Sequence, residues 1–131
     1  MIDRDSHPSF DQALGLAKQT KQLTVIPSYP CFEFWLLLHF GRTRKPYASA
    51  GANSAADLLI KDLRAKPGMN KYAKSGDSNL FEQLLGEPFA NARKTAPRIL
   101  GEAIRDNEMN PSTKIHDLMD LFEKLSAPQL V

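Results

Sequence analysis

Asp3 and Asp5 stand two positions apart at the start of the chain. In an extended backbone residues i and i+2 face the same side, so this pair can offer two hard oxygen ligands to one cation, provided strand geometry persists through Asp5. Magnesium is held by such carboxylates together with waters and substrate phosphates. The plainer alternative is a surface turn in which Asp5 or Ser6 caps the next helix. Glu33 is the most informative acid, because it lies within Phe32-Glu33-Phe34-Trp35. Burying a carboxylate there is costly unless it is paired, metal-bound or near a helix N-terminus, and otherwise Glu33 faces water at the first helical turn. His39, six positions on, reads best as a satisfied core histidine. Cys31 precedes Glu33 near a helix start, with no base at motif spacing, and reads better as a buried structural thiol than as a nucleophile.

Two groups of cations could track phosphates. Arg42, Arg44 and Lys45 follow the apolar run, where solvated loop charge is the preferred reading, and Lys71 and Lys74 flank Tyr72, an aromatic between two cations. His7, His39 and His116 have no zinc-like spacing. The chain has no P-loop, no G-x-G-x-x-G and no G-x-S-x-G, which disfavours nucleotide hydrolysis within it and hydrolase-elbow chemistry.

The elements that must position these residues begin with a strand end at Met1-Ile2, just before the aspartates. From Pro8 to about Lys21, Phe10, Ala13, Leu14 and Ala17 fall on one helical face, with Ser6 as the expected N-cap. Leu23 to Ile26 is a short β-branched run closed by Pro27 and reads as a second strand, completing a strand-helix-strand unit. Ser28 is expected to cap a helix with an early Pro30, running from Cys31 to Phe40 and ended by Gly41; apolar on nearly every side, it must be buried on nearly every side. After a loop from Arg42 to Asn53, a helix from about Ser54 to Lys66 turns Ala55, Leu58, Leu59 and Leu63 inward and stops at Pro67-Gly68. Asn70 to Asp77 is a loop, with Asp77 or Ser78 capping a short helix through Leu85. Glu87 to about Asn107 is helical, and Pro97 inside it predicts a kink or two shorter helices. Asn110 to Thr113 is a turn capping a last helix whose inner face carries Ile115, Leu118, Met119, Phe122 and Leu125.

The 131 residues, 42% hydrophobic and 24% charged, suit one domain with one core. Seventeen Lys and Arg against fifteen Asp and Glu leave a formal charge of +2, too small for the whole surface to embrace a nucleic acid, so any polyanion site must be a local patch. One cysteine excludes an internal disulfide framework and fits a reducing compartment. The longest apolar run is about half of what a bilayer needs, and no signal peptide is visible, so a cytoplasmic protein without membrane attachment is expected. Two strands alone do not make a stable sheet, which leads to the expectation that the sheet continues in missing or partner sequence, or that the fold is a helical bundle with a β ornament.

Asp3-Arg4-Asp5, the block Ser28-Tyr29-Pro30-Cys31-Phe32-Glu33-Phe34-Trp35-Leu36-Leu37-Leu38-His39-Phe40, then Tyr72 with Lys74, and Asn110-Pro111-Ser112-Thr113-Lys114-Ile115-His116, together resemble the RloB-like family, which includes AbiLii-type abortive-infection proteins. The resemblance spans nearly the whole chain. It implies a Toprim-related α/β domain used in phage defence beside restriction-modification genes, a magnesium (or manganese) dependent nuclease subunit paired with an AAA-type ATPase. By that resemblance Asp3 and Asp5 are the metal-holding D-x-D, and Glu33 is the acid of the Phe-Glu-x-Trp block, assisting nearby.

The expected fold class is therefore α/β, a helix-rich Toprim-like fragment with a small parallel sheet of two credible strands covered by five or six helices, forming a single RloB-like domain over residues 1–131. Relatives carry further N-terminal sequence with an early glutamate, so the domain is expected to be truncated at its N-terminus. The catalytic candidates are Asp3, Asp5 and Glu33; the metal ligands are Asp3 and Asp5. Lys71 and Lys74 are the nucleic-acid candidates, and self-association is a further expectation from the open sheet edge. The rival expectation is a non-catalytic interaction module that binds the ATPase partner or nucleic acid.

Overall fold

The protein is described here by a computed structural model covering residues 1–76 and 79–128. Strand β1 (Ile2–Asp3) is followed by α1 (Phe10–Gln19), β2 (Pro27–Tyr29), α2 (Glu33–Leu37) and a 3-10 turn over Leu38–Phe40. Then come α3 (Ala55–Arg64), α4 (Leu80–Leu84), α5 (Glu87–Asp106), β3 (Ser112–Thr113) and α6 (Ile115–Ser126). The expected cap at Asp77 or Ser78 lies outside the described residues.

The sheet has three strands in the order β1-β2-β3, the first pair parallel and the second antiparallel. The parallel strand-helix-strand unit is as the sequence predicts, but β2 starts at Pro27, directly after the β-branched run rather than within it. Leu23 and Thr24 are exposed, and pairing begins at the Ile26 carbonyl, which accepts the Ile2 amide at 3.0 Å. Pro27 opens β2, the strand position that tolerates a missing N–H, and its carbonyl accepts from the Lys114 amide. Ser28 is consequently a strand residue rather than a helix cap: it is fully buried, and its hydroxyl bonds that of Thr113 at 2.8 Å. That pair also explains why the predicted turn at Asn110 to Thr113 contains β3. Two small hydroxyl residues carry little strand signal alone, but each satisfies the other across the ladder.

The apolar segment is buried on all sides from Glu33 to His39, as its composition demands, in a shorter α-helix than expected that tightens into the 3-10 turn. Gly41, at φ 137°, ends it in a conformation other residues rarely adopt. Against it lie Leu59 and Leu63 of α3 and Ala92, Ala96 and Ile99 of α5, all at 0% exposure. The alanines let α5 approach closely. Ser54 caps α3 in a reciprocal box with Asp57. The cap of α1 is Ser9 instead of Ser6. Helix α5 runs unbroken through Pro97, not as two shorter helices, because Pro97 stands on the exposed face where water can reach the carbonyl its ring leaves without a donor. In α6 only the first turn is buried: Phe122 is 53% and Leu125 74% exposed, so the inner face predicted from periodicity reaches beyond the core. Among the described residues no helix is long and apolar enough to cross a membrane.

Candidate functional site

Parallel strands β1 and β2 end side by side, and in open α/β sheets this carboxyl edge is where ligands bind. Asp3 is the last residue of β1; Glu33 opens α2 just after β2. The backbone beyond Asp3 stays beside β2, with the Arg4 and Asp5 amides donating to the Ser28 and Pro30 carbonyls at 2.9 and 2.8 Å. Asp5 itself lies in a turn, so the strict strand alternation that would aim both aspartates alike ends at Asp3.

Asp3 Oδ1 accepts the Phe32 amide at 2.9 Å, fastening the end of β1 to the entry of α2. Partial burial pushes its carboxyl above the usual aspartate range; the Phe32 bond opposes that shift, while the neighbouring Glu33 charge adds to it and Lys74 offsets part of it. Asp5 Oδ1 accepts the Ala56 amide at 3.3 Å, at the N-terminus of α3. Each aspartate thus engages one oxygen on a helix entry.

Glu33 is only 3% exposed, which disposes of the reading in which it faces water. Its Oε1 accepts the Tyr72 hydroxyl at 3.0 Å and lies 3.8 Å from Lys74 Nζ. Its Oε2 is buried without an N–H or O–H donor, and the weakly donating Cys31 thiol is the other polar group acting on the carboxylate. An unsatisfied carboxylate oxygen inside a protein is costly, so Glu33 is held in a state that a further donor or a cation would relieve. Burial, reinforced by Glu33, pushes both the Cys31 thiol and the Tyr72 hydroxyl well above their ordinary values, so both stay protonated at neutral pH. Cys31 is a buried free thiol, the structural placement that its sequence position predicts.

His39 is buried with Nδ1 on the Trp35 carbonyl at 2.9 Å, the satisfied core histidine its position predicts, and burial lowers its pKa. His116 is also buried, with its pKa lowered by desolvation. Arg42, Arg44 and Lys45 are internal partners of acids: Arg42 and Arg44 meet Glu102, Arg44 reaches Asp106 at 3.8 Å, and Lys45 meets Asp62 at 2.6 Å. Lys71 is exposed, whereas Lys74 is the counter-charge of Glu33. Tyr72 was visible in the sequence as an aromatic between cations; its role as the donor to Glu33 was not, since no local pattern links residues 39 positions apart.

The structure therefore joins Asp3, Glu33, Tyr72 and Lys74 at the strand ends, with Asp5 turned to α3. Among the described residues no group of three or more His, Cys, Asp or Glu side chains could hold a metal ion together. Magnesium commonly binds through one or two carboxylates, completing its shell with water and substrate phosphates, so a pair of acids fits that ion better than a closed cage would. The donor set is hard oxygen throughout, and the Glu33 Oε2 without an N–H or O–H donor is the observation that fits a cation.

These features define a small, helix-rich α/β domain with a carboxylate pair at the carboxyl edge of its parallel strands. The chain belongs to the RloB-like protein family, whose model matches residues 1–122. No curated protein and no solved structure matches it significantly.

Proposed function

We propose that this chain is a phage-defence protein of the abortive-infection, restriction-linked kind, related to AbiLii-type proteins, whose Toprim-like centre cleaves phosphodiesters with magnesium or manganese and works with an AAA-type ATPase. The observation that carries the reading is the buried Glu33, with one oxygen lacking an N–H or O–H donor, next to Asp3 at the ends of two parallel strands. Asp3 and Glu33 would hold the cation. Asp5 would contribute through Oδ2, since only Oδ1 is taken by Ala56. When bound, such an ion polarises a phosphoryl oxygen and lowers the pKa of an attacking water.

The chain's own residues do the rest. The Phe32 amide fixes Asp3, the Tyr72 hydroxyl fixes Glu33, and the buried surroundings of Glu33 exclude bulk water. Lys74 neutralises the carboxylates at rest. It is 57% exposed and flexible in kind, so it can swing to a substrate phosphate when a cation takes its place.

The test is divalent-dependent cleavage of plasmid DNA and of RNA by the purified protein, with and without its ATPase partner. Asp3→Asn and Glu33→Gln are expected to lose at least a hundredfold in rate with little change in melting temperature. Retained cleavage would sink the assignment.

A second reading rests on the hydrogen bonds of Asp3 and Asp5, both spent on helix entries as purely structural caps would be. On that reading the chain is a non-catalytic module that binds the ATPase partner, or nucleic acid through Lys71 and Lys74. It predicts partner binding that neither metal nor Asp3→Asn alters, and no cleavage from the wild type.

A further inference from the structure

Beside the carboxylates runs a concave cleft of about 560 Å³ between α3 and the loop that carries Lys74. Three cations line it, Lys61, Arg64 and Lys74, against a single acid, Asp57. On α3, Asp57, Lys61 and Arg64 recur at intervals of four and three, which places them along one helical stripe.

Asp57 makes no ion pair with these cations and offsets the cleft's charge only in part, one acid against three cations. Its carboxylate is held by the Ser54 amide at 2.8 Å in the capping box, and these bonds hold its pKa below the usual range. Lys61 and Arg64 have no acidic partner among the described residues, in contrast to Arg42, Arg44 and Lys45. Arg64 is nevertheless held in place: its Nε donates to the Tyr72 carbonyl at 2.9 Å, leaving the two terminal nitrogens for a ligand. The same Tyr72 gives its hydroxyl to Glu33. One residue thereby fixes both the guanidinium in the cleft and the carboxylate beside it.

We infer that this cleft binds the sugar-phosphate backbone of a nucleic-acid strand, with Lys61 and Arg64 holding phosphates and Lys74 leading the chain toward Asp3 and Glu33. The preoriented Arg64 guanidinium and the unpaired Lys61 ammonium in a concave face suit successive phosphates, which supply the charge that the protein withholds there. The inference rests on the reading of Asp3 and Glu33 as a phosphodiester centre, and adds where the substrate lies.

The test is fluorescence anisotropy of labelled DNA and RNA strands of about 20 nucleotides, in EDTA so that binding is separated from cleavage, over a range of salt. Lys61→Ala/Arg64→Ala is expected to bind about tenfold more weakly at moderate salt and to lower the slope of log affinity against log salt by roughly 1.5. Lys18→Ala/Lys21→Ala, in the last turn of α1 and just beyond it, should leave both unchanged. Should the double variant fail to fold, Lys61→Ala alone, an exposed side chain without hydrogen bonds, is expected to give about half the slope change. A variant that binds like the wild type with the same slope overturns the inference. So does a wild type that binds neither strand, an outcome that would point to an acidic protein surface as the occupant. Binding lost in the double variant without any divalent-dependent cleavage by the wild type would keep the cleft and remove the nuclease reading. Cleavage that survives Lys61→Ala/Arg64→Ala at unchanged KM would remove the cleft alone.

Discussion

Glu33 concentrates the physical tension of the molecule in one side chain. Its importance was legible because a carboxylate among Phe32, Phe34 and Trp35 must be paired or water-facing, and the structure chooses pairing. The partners were not legible: Tyr72 and Lys74 arrive from a distant loop, and the bond of Asp5 to Ala56 joins residues 51 positions apart. The neighbouring Asp3 makes a pH prediction. Its carboxyl is raised above the ordinary aspartate value of 3.8 by burial and by Glu33, so the folded state holds the proton more tightly than the unfolded chain. Stability is then greatest below about pH 3.8 for this group and falls as pH climbs through the raised folded value. Asp3→Asn cannot titrate but keeps an oxygen for the Phe32 amide. Denaturant titrations at a series of pH values should show the variant gaining on the wild type as pH rises from 4 toward neutrality; a constant difference would contradict the account.

At the scale of elements, helices were easier to read than strands. Ser54 before a periodic apolar stripe located α3 closely, because the capping box and the stripe are both local signals. The sheet depends on non-local pairing: β2 begins where Ile2 meets it, and β3 exists because Thr113 answers Ser28. Periodicity also overstated α6, since an apolar stripe does not reveal how far the core extends beneath it. Thr113 is the residue to change. It bonds the Ser28 hydroxyl and accepts the Ile115 amide at 3.2 Å, so it ties β3 to β2 and starts α6. Thr113→Val leaves both groups buried without partners and is expected to cost about 1–3 kcal/mol in urea unfolding. A loss below about 0.5 kcal/mol would mean that the hydroxyl pair does not hold the strands.

Across the whole molecule, one contiguous core runs from α2 and the 3-10 turn to α3, α5 and the start of α6. The burial of the central segment was legible from composition. Trp35 sits in that core at 4% exposure and reports on it. One core predicts one cooperative transition, in which Trp35 fluorescence and far-ultraviolet circular dichroism share a denaturation midpoint; separate midpoints would show that the helices and the core unfold independently. The near balance of charge means that any polyanion site must be a local patch rather than a general field, which is why the proposed centre and cleft are local arrangements. On the proposed function, Asp3 and Glu33 take a divalent cation in the place that Lys74 now neutralises. The decisive experiment is calorimetric titration of Mn2+ into the folded wild type, Glu33→Gln and Lys74→Ala. Binding is expected in the wild type, lost in Glu33→Gln, and tighter in Lys74→Ala, where a competing positive charge is gone. No binding by the wild type, or equal binding by all three, would mean that these carboxylates do not hold a cation.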